Sequence, residues 1–134
     1  MSKEIIIDGD KAVLGRLASF VAKEAMLGKK VDIVNADKVM IIGHKQSILA
    51  RFLWKKDLGG SNLNGPFVHA NPEKILKRTV RGMLDYSKMR GRLAIKRVKC
   101  YNGIPKEFEG KKMIKGKGKD APGISLLEVA NRMR

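Results

Sequence analysis

Acidic residues are scarce in this chain: 13 Asp and Glu stand against 29 Lys and Arg, a formal net charge of +16 over 134 residues. Such an excess repels itself in the compact state unless a polyanion is at hand. The partner classes narrow to nucleic acid, an anionic membrane surface or an acidic protein. Long apolar runs are missing as well. The longest aliphatic run, Val39 to Ile42, is far too short to span a bilayer. The opening MSKEIIIDGD has charges on both sides of three isoleucines instead of a secretory apolar region, so no membrane association is expected. Cys100 is the single cysteine, which rules out an internal disulfide and suits a reducing compartment. His44, His69 and Cys100 have no zinc-like spacing, and no metal site is expected. Aromatics are 5% of residues, too few for a stacking surface along single-stranded bases.

What is present is enough for a core. Apolar residues make up 43% of the chain, and a domain of this size buries roughly two-thirds of the surface its unfolded chain exposes. Ile5, Ile6 and Ile7 read as a buried strand closed by Asp8-Gly9-Asp10. Leu14, Leu17, Ala18, Val21, Ala22, Ala25 and Met26 recur at helical spacing, with Arg16, Ser19 and Lys23 on another face and Gly28 as the stop. Val31 to Val34 follows as a second strand. Strand, helix and strand at this spacing make a βαβ unit with parallel strands and a right-handed crossover. Val39 to Ile42 reads as a third short strand. Ile48, Leu49, Phe52 and Leu53 mark a helix with Arg51 and Lys55 outside and Gly59-Gly60 as its end. Asp57 to Asn71 has no periodicity and reads as a loop.

Asn71-Pro72 signals a helix start, with the Asn side chain able to cap exposed backbone amides. On that helix Ile75, Leu76, Val80 and Met83 share one face, while Lys74, Lys77, Arg78 and Arg81 follow the same spacing one position over. Lys88, Arg90, Arg92, Lys96, Arg97 and Lys99 continue the positive charge, with Asp85 the one acid between Lys74 and Lys99. A row of like charges on one helix face repels itself, and phosphates would supply the missing negative charge. Val98 to Tyr101 reads as a further strand. Beyond Pro105 the sequence turns charged and Gly-rich, an extended basic arm carrying Lys115, Lys117 and Lys119. The capping-box pattern Ser125-Leu126-Leu127-Glu128 then starts a short terminal helix ending near Met133. The division expected is an α/β RNA-binding domain over 1–105 and an arm over 106–134.

No catalytic constellation rises above background. The glycine-bearing turn GDKAVLGR leads from a strand into a helix. However, five residues stand between Gly9 and Gly15 where such a loop needs four, and Arg16-Leu17 follows, which does not make a phosphate-cradling loop. Asp8, Asp10, Asp32, Asp37 and Asp57 read as turn or strand-end residues that serve local hydrogen bonds. Ser19 and Ser47 have no base placed to activate them. No zinc module, recognition helix or basic heptad region points to duplex DNA. The remaining reading is phosphate neutralisation over a wide surface, which holds a folded RNA by shape and backbone.

GRLAS (Gly15 to Ser19), VNADKVMIIG (Val34 to Gly43), GPF (Gly65 to Phe67), RTVRGML (Arg78 to Leu84), RGR (Arg90 to Arg92) and KRVKCYNGIP (Lys96 to Pro105) occur in order. Together they resemble the universal large-subunit ribosomal protein thirteen family, in bacterial numbering, over about residues 4 to 105. The GPF and GIP segments are similar to its archaeal and eukaryotic branch. The resemblance implies a three-layer α/β/α sandwich around a small, largely parallel sheet of about four strands. It implies a structural constituent of the large ribosomal subunit, in the cytoplasm, that binds ribosomal RNA, neighbours other ribosomal proteins and supports assembly. It implies no cofactor and no small-molecule substrate. The family's basic positions fall on Arg16, Arg78, Arg81, Arg90, Arg92, Lys96 and Arg97. Many relatives have Pro after the GML triplet, where this chain has Asp85. Residue chemistry alone leaves two other readings: a nucleotide-binding α/β enzyme, or a free-standing DNA-binding regulator.

Overall fold

The structure is a computed structural model and describes residues 3–57, 70–116, 118 and 121–133. The order of elements is β1 (Glu4–Asp8), α1 (Leu14–Met26), β2 (Lys30–Val34), β3 (Met40–Ile42), α2 (Lys45–Asp57), α3 (Pro72–Gly82), α4 (Met89–Lys96), β4 (Val98–Cys100), β5 (Ile114–Lys115), β6 (Gly123–Ser125) and α5 (Leu126–Met133). The main sheet is parallel throughout, in the order β4-β2-β1-β5. From β1 to β2 to β4 the chain steps twice in one direction across that sheet. Right-handed crossovers then place the connecting helices on one face, and α1 does pack against both α3 and α4. The mixed α/β sandwich around a small, largely parallel sheet stands as expected.

Register explains which face holds the core. Ile5, Val31 and Val98 align across three strands, as do Ile7, Ile33 and Cys100. In strands, alternate residues share a face, so these two rows meet Leu17, Val21, Ile75, Leu76, Val80, Ala94 and Ile95 in one apolar cluster. Each fully buried Val, Leu or Ile in it stabilises the fold by roughly 1.5–3 kcal/mol. Ala18, Ala22 and Ala25 on the buried side of α1 allow close packing with α3 and α4. The helix ends where Gly28 takes φ +94°, a conformation that side chains resist.

The opposite face carries Ile6, Asp32 and Lys99 in one row. Asp32 therefore lies mid-strand at 4% exposure, not at a turn or strand end as its type suggested. Its Oδ1 is buried without a hydrogen-bond partner among the described residues. Burial pushes its carboxyl pKa up, while Lys30 and Lys99 pull it down and Glu4 and Glu107 push it up. Of the other aspartates, Asp8 and Asp37 accept hydrogen bonds, two of the three from residues distant in sequence. Asp8 Oδ1 accepts from the Asp10 amide (3.0 Å) and Asn35 Nδ2 (2.9 Å), and Asp37 Oδ1 accepts from the Gly103 amide (3.2 Å).

Four expectations change. The third strand, β3, leaves the main sheet and pairs antiparallel with β6, Ile41 opposite Ile124. The stretch after Pro105 is not simply an extended arm. β5 completes the main sheet beside β1, and Ile124, Leu126, Val129, Ala130 and Met133 join the common core. The Ser125 hydroxyl caps α5 by accepting from the Glu128 amide at 3.3 Å. Met83, which shares the apolar phase of α3, is 46% exposed because the helix stops at Gly82 and the chain turns away. The start of α3 is held by the Asn71 carbonyl, which accepts from the Lys74 and Ile75 amides, and not by a side-chain cap. The stop expected at Gly59-Gly60 lies outside the described residues.

Candidate nucleic-acid interface

The basic positions fall into separate groups. The first is built on α3, the turn after it, and α4. Ile75, Leu76 and Val80 bury one side of α3, leaving Lys74, Arg78 and Arg81 exposed on the other; Lys77 is half-buried. Lys77 and Glu73 act on Cys100 from α3, and burial, the largest cause, pushes that thiol up to about 12. Glu73, one helical turn before Lys77, accepts a hydrogen bond from Asn102 Nδ2 at 2.7 Å.

The turn between the helices is a compact unit. The Arg81 guanidinium stacks over the Tyr86 ring at 4.7 Å. Asp85 accepts from the Ser87 hydroxyl at 2.9 Å and lies 3.6 Å from Lys88 and 4.0 Å from Arg90. Arg92 donates from Nε to the Tyr86 carbonyl (3.1 Å) and from Nη2 to the Ser87 carbonyl (3.0 Å). Two exposed ion pairs of this kind hold little energy, about 0–1 kcal/mol each. They orient Lys88 and Arg90 without cancelling the positive field, because one acid faces several bases. Lys96 is exposed at the end of α4. Arg97 turns inward instead: its Nη1 donates to the Ala25 carbonyl at 2.9 Å, at the C-terminal end of α1, where a cation is favoured.

Arg16 and Lys115 form a second group with Lys23, a residue that charge alone did not single out. They line a groove of about 500 Å³ between α1 and β5, with Ile7, Leu17, Ser19, Phe20, Ile114 and Gly116. Arg51 and Lys55 belong to α2, which packs with α5 and β6. Arg51 is exposed, and the Lys55 ammonium lies 5.5 Å from the Phe52 ring. Lys99 is exposed on the sheet face opposite the helices. Lys117 and Lys119 lie outside the described residues, as do His69 and the GPF segment.

The helix α4 is the element that charge concealed. Gly91, Ala94 and Ile95 repeat at helical spacing and are buried, but small residues set among cations read as a continuing basic run. Among the described residues, no group of three or more His, Cys, Asp or Glu could hold a metal ion. Among them too, no helix is long and apolar enough to cross a membrane.

The sequence model of the family described as ribosomal protein L13 matches residues 2–107 of this chain. Large ribosomal subunit protein uL13 of Archaeoglobus fulgidus is 41% identical over 110 residues, covering 82% of this chain and 70% of its own. The protein of that name from Methanosphaera stadtmanae is 45% identical over 112 residues, covering 81% and 79%. That from Methanocaldococcus jannaschii is 40% identical over 131 residues, 96% of both chains, so the similarity extends well past Pro105.

Proposed function

This chain belongs to the ribosomal protein L13 family, and from that premise we propose that the exposed cations of α3, α4 and the turn between them are where it holds ribosomal RNA. The protein is a structural constituent of the large ribosomal subunit, not an enzyme, and its place is the ribosome in the cytoplasm. Its partners are ribosomal RNA and other ribosomal proteins.

The observation that carries the proposal is the two-sidedness of α3. One side is fixed in the core by Ile75, Leu76 and Val80, so Lys74, Arg78 and Arg81 are presented on a rigid scaffold at helical spacing. Rigid presentation lowers the ordering cost of gripping a phosphate backbone. Binding then proceeds by counterion release: each neutralised phosphate adds roughly 0.7–0.9 to the slope of log affinity against log salt. Lys88, Arg90 and Lys96 extend the surface along α4. Arg92 and Arg97 brace it through backbone carbonyls, Arg92 two and Arg97 one, while other guanidinium donors remain.

The double substitution Arg78→Ala/Arg81→Ala tests this in a titration of large-subunit ribosomal RNA at several salt concentrations. Weaker binding with a slope reduced by about 1–2 supports the assignment. A folded double variant with unchanged affinity and slope removes α3 from the RNA interface.

A further inference from the structure

We propose that the groove between α1 and β5 takes one unstacked RNA base, with the adjoining phosphates on Arg16, Lys23 and Lys115. The inference rests on the RNA-binding reading above and adds to it a point at which the RNA must open.

Three features of the groove agree on that occupant. Its floor and walls are apolar: Ile7 and Leu17 are buried beneath it, while Phe20 and Ile114 stay 38% and 43% exposed. Its rim is cationic, with Arg16, Lys23 and Lys115 among the lining residues and no acid. None of the three side chains has an ion-pair partner among the described residues. Its volume of about 500 Å³ falls in the range of pockets that enclose small ligands, roughly 300–1,000 Å³.

Helical geometry produces the combination. Arg16, Phe20 and Lys23 sit at i, i+4 and i+7, one row along α1, so an exposed ring lies between two cations. Across the gap, β5 is an edge strand of two residues that places Ile114 and Lys115 opposite. Gly116 lets that strand lie close to the start of α1, since a Cβ there would come 2.7 Å from the Ala12 Cβ.

The charge complementarity discriminates among occupants. A stacked RNA helix offers phosphates and ribose hydroxyls but no base face, and would leave Phe20 and Ile114 without an apolar partner. An apolar peptide would cover the ring but leave three cations unpaired against it. An unstacked nucleotide supplies a flat π-face for Phe20 and anionic oxygens for the rim together. Ser19 is the one uncharged polar side chain of the lining, too little to read a base edge, so the groove is tolerant of base identity.

The test uses the full chain with two probes, a short single-stranded oligouridylate carrying one central iodouridine, and an RNA duplex of equal length. Irradiation should crosslink the single strand to the peptide containing Phe20. Phe20→Ala should abolish that crosslink and weaken single-strand binding about tenfold or more, with the salt slope unchanged because no charge is lost. Duplex binding should not move. Phe20→Trp should retain crosslink and affinity, which separates stacking from any folding defect. Lys23→Ala should lower the single-strand salt slope by about 0.7. If crosslinks map to α3 and α4 and Phe20→Ala changes nothing, the groove assignment is overturned while the RNA-binding reading stands. A folded chain that binds neither probe nor ribosomal RNA overturns both.

Discussion

A Cβ on Gly91 would lie 1.9 Å from the carbonyl oxygen of Asp85, so the first turn of α4 rests directly on the turn that follows α3. That contact fixes the angle at which the two basic helices meet. The helix already ends at Gly82, and Asp85 holds the turn through Ser87, Lys88 and Arg90.

Gly91→Ala is therefore expected to destabilise the fold by about 3 kcal/mol or more, since backbone lies on both sides of the clash. Equilibrium denaturation measures it. The two Arg92 bonds to the Tyr86 and Ser87 carbonyls should loosen with the turn. A stability within a few tenths of wild type would mean that α4 can slide without cost.

Asp32→Asn should raise stability at neutral pH by about 1 kcal/mol, because the neutral amide carries no charge for burial to penalise. The folded pKa of Asp32 is raised above the ordinary 3.8. Its contribution is therefore most favourable below 3.8 and is lost as pH climbs through the raised folded value. Thermal melts across the mildly acidic range should show wild-type stability falling with pH from this group, and the Asn variant should lack that component.

Cys100 should resist thiol reagents in the native state. With its thiol pushed up to about 12 from the ordinary 9.0, the thiolate population at mildly alkaline pH falls by about a thousandfold. Ellman-type labelling should be slow until denaturant is added. The contribution of the protonated thiol is present below 9 and is lost as pH rises toward 12.

Arg97→Met should cost about 1.5–3 kcal/mol by removing a charge-assisted bond to the Ala25 carbonyl. Arg78→Ala, on the exposed face of α3, should change stability far less. Comparing melting temperature with RNA affinity for the two variants separates a residue that supports the surface from one that belongs to it.

Ser125→Ala should lower stability by about 0.5–2 kcal/mol through loss of the cap on α5. A measurable loss would show that the segment after Pro105 folds with the rest, as the burial of Leu126, Val129 and Met133 indicates.

The β1-α1-β2 unit was legible because its signals are local: a β-branched run, a helical period and a Gly stop within some thirty residues of one another. The pairing of Ile41 with Ile124 was not, because each is a short apolar stretch whose partner is far away in sequence. The same holds for Ile114, which with Met113 is set among lysines and glycines and finds its place only against Ile7. Charge rows on α3 were readable from spacing. The groove was only half readable: Arg16, Ser19 and Lys23 share a face on paper, but the opposite wall comes from a strand about a hundred residues later. Arg97 shows the limit of reading cations by type, since an Arg can serve the backbone as well as a phosphate.

The strand order β4-β2-β1-β5 seats β5 beside β1, from which about a hundred residues of chain separate it. While the chain is being made, β1 has β2 for a neighbour on one edge and nothing on the other until Ile114 and Lys115 emerge. The same late segment brings Ile124 to β3 and Met133 to the core. A nascent chain stalled near Pro105 would thus keep an open sheet edge and unburied apolar surface, the features that recruit chaperones or misassociate. Closure of the sheet edge and of the core thus falls to one late segment, the lysine- and glycine-rich stretch and the helix after it.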